Sequence, residues 1–219
     1  MIEAILPAAA AVAEARDDDA PVALFPEEEA IVARAVEKRR RKFASGRGCA
    51  HRALAALGEA PVPVPAGERG EPIWPDGVVG SITHCKGYRG CAVARGSDLA
   101  TIGIDAETHA PLPGGLLPNL ASPEEIDALA ALGRADPSIH WDRLLFSAKE
   151  AVYKAWYPLA ERWLGFEDAV LTIDPGARAF SARLLVPGPP LAGTELRGFD
   201  GRWLVADDLV LTAIAVSNA

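Results

Sequence analysis

"IGIDAETH", residues 102–109, ends an apolar run in two carboxylates, Asp105 and Glu107, with a single alanine between them. Upstream stand "VVGSITHC" (78–85) and "GCAVARG" (90–96), short runs rich in Val, Ile and Thr with glycine-containing joints. Residues 78–107 therefore read as consecutive strands. Residues two apart on a strand share a face, which sets Asp105 and Glu107 side by side with Cα atoms about 7 Å apart. Burying two like charges is costly unless a positive partner offsets them. A metal ion is one such partner; a solvated strand end, where the acids simply meet water, is the plainer alternative.

Outward from that run the texture changes. "PEEEAIVARAVEKRRRKFA" (26–44) begins with proline and acids and ends in bases, the polarity that suits a helix dipole. A second helix is expected over "GCAHRALAALG" (48–58), and the Pro- and Gly-rich stretch after it reads as loop. On the other side, "THAPLPGGLLP" (108–118) reads as a linker. In "SPEEIDALAAL", Ser122 is the expected N-cap, with Pro123 first and Glu125 third in the helix. "HWDRLLFSAKEAVYKAWYPLA" (140–160) has apolar residues at helical spacing, and the tail from 167 returns to strands. The order of helices, strands, linker, helices, strands predicts an α+β protein of two halves of similar size, residues 1–107 and 108–219. No residue-level repeat is expected between them.

A chain of 219 residues buries enough surface to need no disulfide or metal staple. Its formal charge of −8 argues against non-specific nucleic-acid binding. Cys49, Cys85 and Cys91 show no paired CxxC spacing and read as small buried thiols of a reducing compartment. The alanine-rich N-terminus lacks the basic start of a signal peptide, and no apolar run reaches the ~18 residues of a membrane span. A cytoplasmic protein without membrane attachment is expected.

The chemistry concentrates in "FSAKEAVYKAW" (146–156). Glu150 and Lys154 stand i,i+4 in the acid-before-base order that steadies a helix, and taken alone they read as a solvated pair. If this helix packs on the strand end carrying Asp105 and Glu107, three carboxylates meet the ammonium groups of Lys149 and Lys154. That set suits a hard cation together with a polyphosphate. "GSITHCKGY" (80–88) adds His84 and the Thr83 hydroxyl, either structural or phosphate donors. "EKRRRKFASGRG" (37–48) concentrates positive charge in an acidic chain. There Arg39 and Arg47 would reach one anion if the chain bends near Ser45-Gly46.

Together "FASGRGCAHRALAALG", "WPDGVVGSITHCKGYRGCAVA", "IGIDAE" and "WDRLLFSAKEAVYKAWYPL" resemble the 4′-phosphopantetheinyl transferases, and within them the Sfp/EntD-like group of actinobacterial type. The resemblance runs in order from about residue 25 to about residue 170. It implies two similar α/β halves in a pseudo-twofold arrangement, with coenzyme A in the cleft between them. It implies transfer of the phosphopantetheine arm to a serine of an apo acyl, peptidyl or polyketide carrier protein, releasing adenosine 3′,5′-bisphosphate. By motif, Asp105, Glu107 and Glu150 would hold Mg²⁺, or Mn²⁺, against the pyrophosphate. Thr83 and His84, with Arg39 and Arg47, would bind the 3′-phosphate and nearby groups. Lys149 and Lys154 would neutralise the pyrophosphate, one of them protonating the leaving phosphate, and Phe146, Tyr153 and Trp163 would line the pantetheine channel. The serine proton needs an acceptor, and Glu150, directly or through a metal-bound water, is the candidate. In one respect the chain departs from its relatives: "VPAGERG" has Ala66 where several carry a basic residue, with Arg69 three positions on. The resemblance leans toward secondary-metabolite and siderophore pathways and toward a monomer.

Two other functions use similar residues. A Mg²⁺-dependent phosphoesterase also needs acids and a lysine, and would destroy coenzyme A without a carrier. A non-enzymatic carrier-binding module built on the basic segment 38–42 would be indifferent to replacement of Asp105.

Overall fold

The computed structural model describes residues 1–16 and 22–218. Strand β1 (Ala11–Ala15) precedes two helices, α1 (Pro26–Val32) and α2 (Glu37–Ala56), and then the strands β2 (Val78–Cys85), β3 (Tyr88–Arg95) and β4 (Leu99–Thr108). Helices α3 (Pro123–Ala135) and α4 (Trp141–Ala160) follow the linker. Strands β5 (Ala169–Asp174), β6 (Ala179–Leu184), the short pair β7 (Pro190–Leu191) and β8 (Thr194–Glu195), β9 (Gly198–Ala206) and β10 (Leu209–Ser217) complete the chain. The fold is α+β, with antiparallel sheets ordered β1-β3-β2 and β4-β10-β9-β6-β5, and the β7-β8 hairpin apart.

Ser122 caps α3 as expected: its hydroxyl accepts from the Glu125 amide at 3.2 Å, and Glu125 returns the bond to the Ser122 amide at 2.7 Å. Two expectations are corrected. The helix over 26–44 breaks at Ala33–Val36, and α2 then runs unbroken through Ser45-Gly46-Arg47-Gly48. Glycine costs about 1 kcal/mol in a helix interior, but close packing requires it here. A Cβ on Gly48 would stand 2.8 Å from a Val22 methyl. So there is no bend at Ser45-Gly46. Residues 11–15, alanine-rich and without a strand signal of their own, pair with β3 along their whole length.

β4 is the strand that joins the two sheets. Although it closes the N-terminal run of strands, it pairs with β10 from Leu99 to Thr108. The tight turn between β9 and β10 makes this possible, with Asp207 and Asp208 at φ 50° and 60°, a left-handed conformation that Asp tolerates better than most residues. On its other edge β4 meets β2 through side chains: the Ile104 amide donates to Ser81 Oγ at 3.1 Å and the Ala106 amide to Thr83 Oγ1 at 2.9 Å. Two hydroxyls on alternate residues of β2 thus stand in for ladder carbonyls.

The faces of β4 divide cleanly. Ile102, Ile104 and Ala106 are fully buried in a core with Ile2, Tyr88 and Leu211. Thr101, Gly103, Asp105 and Glu107 face α4. Four residues of helix advance about 6.0 Å and two of strand about 6.7 Å, so the two elements stay in step. Thr101 bonds the Ala155 carbonyl, Gly103 lies under Ala151, Asp105 meets Ser147, and Glu107 meets Arg143. Gly103 sets the closeness, since a Cβ there would be 2.1 Å from the Ala151 carbonyl oxygen. The opposite side of α4 buries Leu144, Leu145, Val152 and Trp156 against Phe180 and Phe199.

Candidate active site

The register of α4 on β4 builds the site. Arg143, Ser147, Glu150 and Lys154 recur at i, i+4, i+7 and i+11, one stripe of a helix. Asp105, nearly buried, accepts from Ser147 Oγ at 2.9 Å, from Lys154 Nζ at 2.7 Å and from Thr83 Oγ1 at 3.2 Å. Glu107 accepts from Arg143 Nη1 at 2.9 Å. Glu150 is half-buried and makes no hydrogen bond among the described residues. Burial first, and then the charge of Asp105, raise the carboxyls of both Glu107 and Glu150 above the usual carboxylate range, while Arg143 and Lys154 pull the other way. The same two causes, burial and then Glu107 with Asp105, push the Cys85 thiol up to about 11.

Beside this stripe opens a cleft of about 630 Å³. Arg69, Trp74 and Ile82 line it from the N-terminal side, and Glu150, Tyr153, Lys154 and Tyr157 from α4. A smaller pocket of about 100 Å³ on the other side of Glu150 is bounded by Tyr153, Trp163 and Phe166. The Tyr153 and Trp163 rings stand 5.0 Å apart and Trp163 is largely exposed. Phe146 packs on Phe166 at 6.1 Å and does not line that pocket.

Several expected residues are placed differently. Thr83 and His84 are neighbours on β2 and so point to opposite faces. Thr83 is buried with its hydroxyl engaged by Asp105 and the Ala106 amide, so the two side chains do not share one anion. Lys149 is buried, its ammonium donating to Glu125, to the Phe166 carbonyl and to the Ala169 carbonyl at 2.8–3.1 Å. That uses its three protons inside the C-terminal half, not at Asp105. Burial lowers its pKa while Glu125 opposes the shift. Arg39 is exposed on α2, about 12 Å along the axis from Arg47, and the helix between them is unbroken. Arg47 is buried over the Phe43 ring at 4.5 Å and donates to the Pro65 carbonyl; among the described residues its Nε has no partner.

His84 is held below the ordinary histidine value by desolvation first, then by Arg89, Lys154 and Lys42, with Asp105 opposing. Arg89, Lys154 and Lys42 thus give the surroundings of His84 a positive character. Lys42 falls within the basic segment 38–42, whereas Arg143 and Ser147 lie outside the residues named from the sequence. The i, i+4, i+7, i+11 spacing with Glu150 and Lys154 was the available signal.

No group of three His, Cys, Asp or Glu side chains is drawn into a metal cage among the described residues. The donor set nonetheless fits a hard cation. Asp105, Glu107 and Glu150 are oxygen ligands, and Asp105 disfavours ionisation of the other two, a repulsion that a divalent ion relieves.

Residues 27–94 match the 4′-phosphopantetheinyl transferase N-terminal domain, and residues 101–206 the 4′-phosphopantetheinyl transferase superfamily. The chain is 56% identical to the 4′-phosphopantetheinyl transferase Svp of Streptomyces mobaraensis, over 99% of this chain and 89% of that protein. The chain belongs to the 4′-phosphopantetheinyl transferase family. To the transferase Npt of Nocardia iowensis it is 52% identical, over 98% of this chain and 99% of that one. To PptT of Mycobacterium tuberculosis it is 46% identical, over 99% and 98%. Enterobactin synthase component D of Salmonella typhimurium is more distant, 33% identical over 81% of this chain and 72% of that protein. This transferase has, among its described residues, no helix long and apolar enough to cross a membrane.

Proposed function

We propose that this transferase moves the 4′-phosphopantetheine arm of coenzyme A to a serine of an apo carrier protein, releasing adenosine 3′,5′-bisphosphate, with Mg²⁺ or Mn²⁺ bound at Asp105, Glu107 and Glu150. The observation that supports the reading is the in-step packing of α4 on β4, which sets Asp105 beside Ser147 and Lys154 and Glu107 beside Arg143, next to the cleft that Glu150 and Lys154 line. The cation, when bound, supplies charge neutralisation at the pyrophosphate.

The remaining steps belong to the chain itself. Lys154, already within 2.7 Å of Asp105, offsets negative charge developing on the departing phosphate. The serine oxygen bonds to the phosphorus that carries pantetheine, and the bond from that phosphorus to the oxygen of the adenosine 5′-phosphate breaks. The serine proton goes to Glu150, the acid of this set that lines the cleft, directly or through a bridging water. Tyr153 and Trp163 bound the path for the pantetheine arm, with Phe146 behind Phe166. Lys149 anchors the carbonyls of Phe166 and Ala169 that shape this wall.

Residues 1–107 supply the contacts to the adenosine phosphates and the first two acids, and 108–219 the catalytic helix. His84 with the nearby Lys42 and Lys154, Arg47 with its spare Nε, and Arg69 on the cleft wall favour binding of the 3′-phosphate; Arg39 on the exposed face of α2 adds long-range attraction. Arg69 stands in for the basic residue that Ala66 replaces. The protein works as a cytoplasmic monomer on acyl, peptidyl or polyketide carriers. The relatives named enterobactin synthase component D support a siderophore or secondary-metabolite setting.

Intact-mass spectrometry of apo peptidyl, polyketide and fatty-acid carriers, incubated with the protein, coenzyme A and Mg²⁺, tests this. A gain of one phosphopantetheine arm that disappears on chelation is expected. Hydrolysis of coenzyme A without carrier, and no mass gain on any carrier, would replace transfer by a phosphoesterase reaction.

A further inference from the structure

We infer that Arg143 is a positioning residue that aims Glu107 at the metal site. Arg143, the third residue of α4, bonds three different acceptors with three different nitrogens. Nη1 donates to Glu107 Oε2 at 2.9 Å, Nε to the Ala110 carbonyl at 3.0 Å, and Nη2 to the Pro111 carbonyl at 2.9 Å. Next to it, Asp142 accepts the Leu112 amide at 2.8 Å. The start of α4 therefore grips the chain as it leaves β4.

The geometry separates this cation from Lys154. An ammonium on a flexible stem turns toward whatever anion is present, whereas a guanidinium is a planar fork of fixed donors. Two of the contacts of Arg143 are neutral carbonyls, so its plane is set whether or not Glu107 is engaged. The third contact is then directional: it fixes Oε2 of Glu107. Oε1 takes no hydrogen bond among the described residues and is left for a cation. With side chains only 14% and 23% exposed, the pair is shielded from competing water. Arg143 acts through Glu107 and touches no reacting atom.

This rests on the reading above that Glu107 is a metal ligand, and the two can fail separately. Its rival is a built-in counter-ion that a metal must displace. The charge of Arg143 alone opposes a cation, so the two roles predict opposite signs.

Mn²⁺ binding to the full-length protein, followed by the electron paramagnetic resonance of free Mn²⁺, distinguishes them, with urea unfolding as the check on folding. Arg143→Gln is expected to weaken Mn²⁺ by about tenfold, the scale of losing a group that orients a metal ligand. Arg143→Lys keeps the charge without the fork and is expected to stay weakened. It also decides the question if Arg143→Gln does not fold. Unchanged or tighter binding in Arg143→Gln, or wild-type binding in Arg143→Lys, would overturn the inference. If the wild type does not bind Mn²⁺, or Glu107→Gln binds it undiminished, the metal reading of Glu107 itself falls and takes the inference with it.

Discussion

Two short helices open in the same way: Pro26-Glu27-Glu28 begins α1 and Pro123-Glu124-Glu125 begins α3. In each, the second glutamate turns inward. Glu28, fully buried, accepts from the Phe25 amide at 3.0 Å, the Val64 amide at 2.9 Å and His51 of α2 at 2.8 Å. Glu125 accepts from the Ser122 amide at 2.7 Å, the Leu171 amide at 2.8 Å and Lys149 of α4 at 3.1 Å. Both carboxylates pin a long helix of 20 residues to its half of the protein. They differ in what stands beside the pinned residue. His51 is followed by Arg52, which reaches the Glu14 carbonyl, whereas Lys149 is followed by Glu150, which faces the cleft. The same kind of clamp holds α2 in one place and, in the other, fixes the rotation of α4 that turns Glu150 to the cleft. One kind of buried contact thus serves two helices whose outward faces differ.

That contrast can be broken most severely at the C-terminal stripe. Asp105→Asn should lower kcat by about 10²–10³-fold with the fold intact, as removal of a preorganised electrostatic group does, measured by steady-state carrier loading. A variant of near wild-type kcat would detach the stripe from the reaction. Next comes the clamp itself. Glu125→Ala leaves an ammonium buried without its counter-ion and should cost about 3–5 kcal/mol. Glu28→Ala removes the acceptor of two buried amides and of the His51 ring, and should cost about 1–3 kcal/mol. Urea unfolding of both variants checks this, and equal costs would erase the distinction between the two clamps.

Smaller effects belong to the N-terminal half. His84→Ala should raise the KM for coenzyme A by about tenfold, the loss of one charge-assisted contact, with little change in kcat. A fall in kcat at constant KM would move His84 from binding to chemistry. The smallest effect is on pH. The folded-state pKa of His84 is depressed, so the ring is neutral at pH 7 and its contribution to stability is lost as pH falls through that value. An anion bound beside it favours the protonated ring, so adenosine 3′,5′-bisphosphate should bind more tightly as pH falls from 8 toward 6, with proton uptake seen by calorimetry in two buffers. No uptake would remove the anion from His84.

Much of this was legible in the sequence because the signals are local. Short runs rich in Val, Ile and Thr with glycine joints marked β2, β3 and β4, the Ser122-Glu125 box marked α3, and periodicity marked α4 to within a residue of its ends. The shared face of Asp105 and Glu107 followed from strand geometry alone. Other features depend on partners distant in sequence. The helix through Ser45-Gly46-Arg47-Gly48 exists because neighbouring chain packs against those glycines, and β1 because β3 offers it an edge. The acids of "PEEEAI" and "PEEIDA" read as ordinary first-turn charges, although Glu28 and Glu125 both turn inward. Lys149 and Lys154 looked equivalent in "AKEAVYKA", yet five residues along a helix place them on different faces. One meets Glu125 and the other Asp105. Nothing local to "HWDRLL" signals the role of Arg143, whose carbonyl partners lie in the loop after β4.

Diffraction at the manganese absorption edge, from crystals grown with Mn²⁺ and coenzyme A, tests the central claim most directly. The account predicts one anomalous peak within about 2.2 Å of carboxylate oxygens of Asp105, Glu107 and Glu150, with the pyrophosphate completing its shell. A peak held by the pyrophosphate and water alone, or seated away from these three acids, would contradict it.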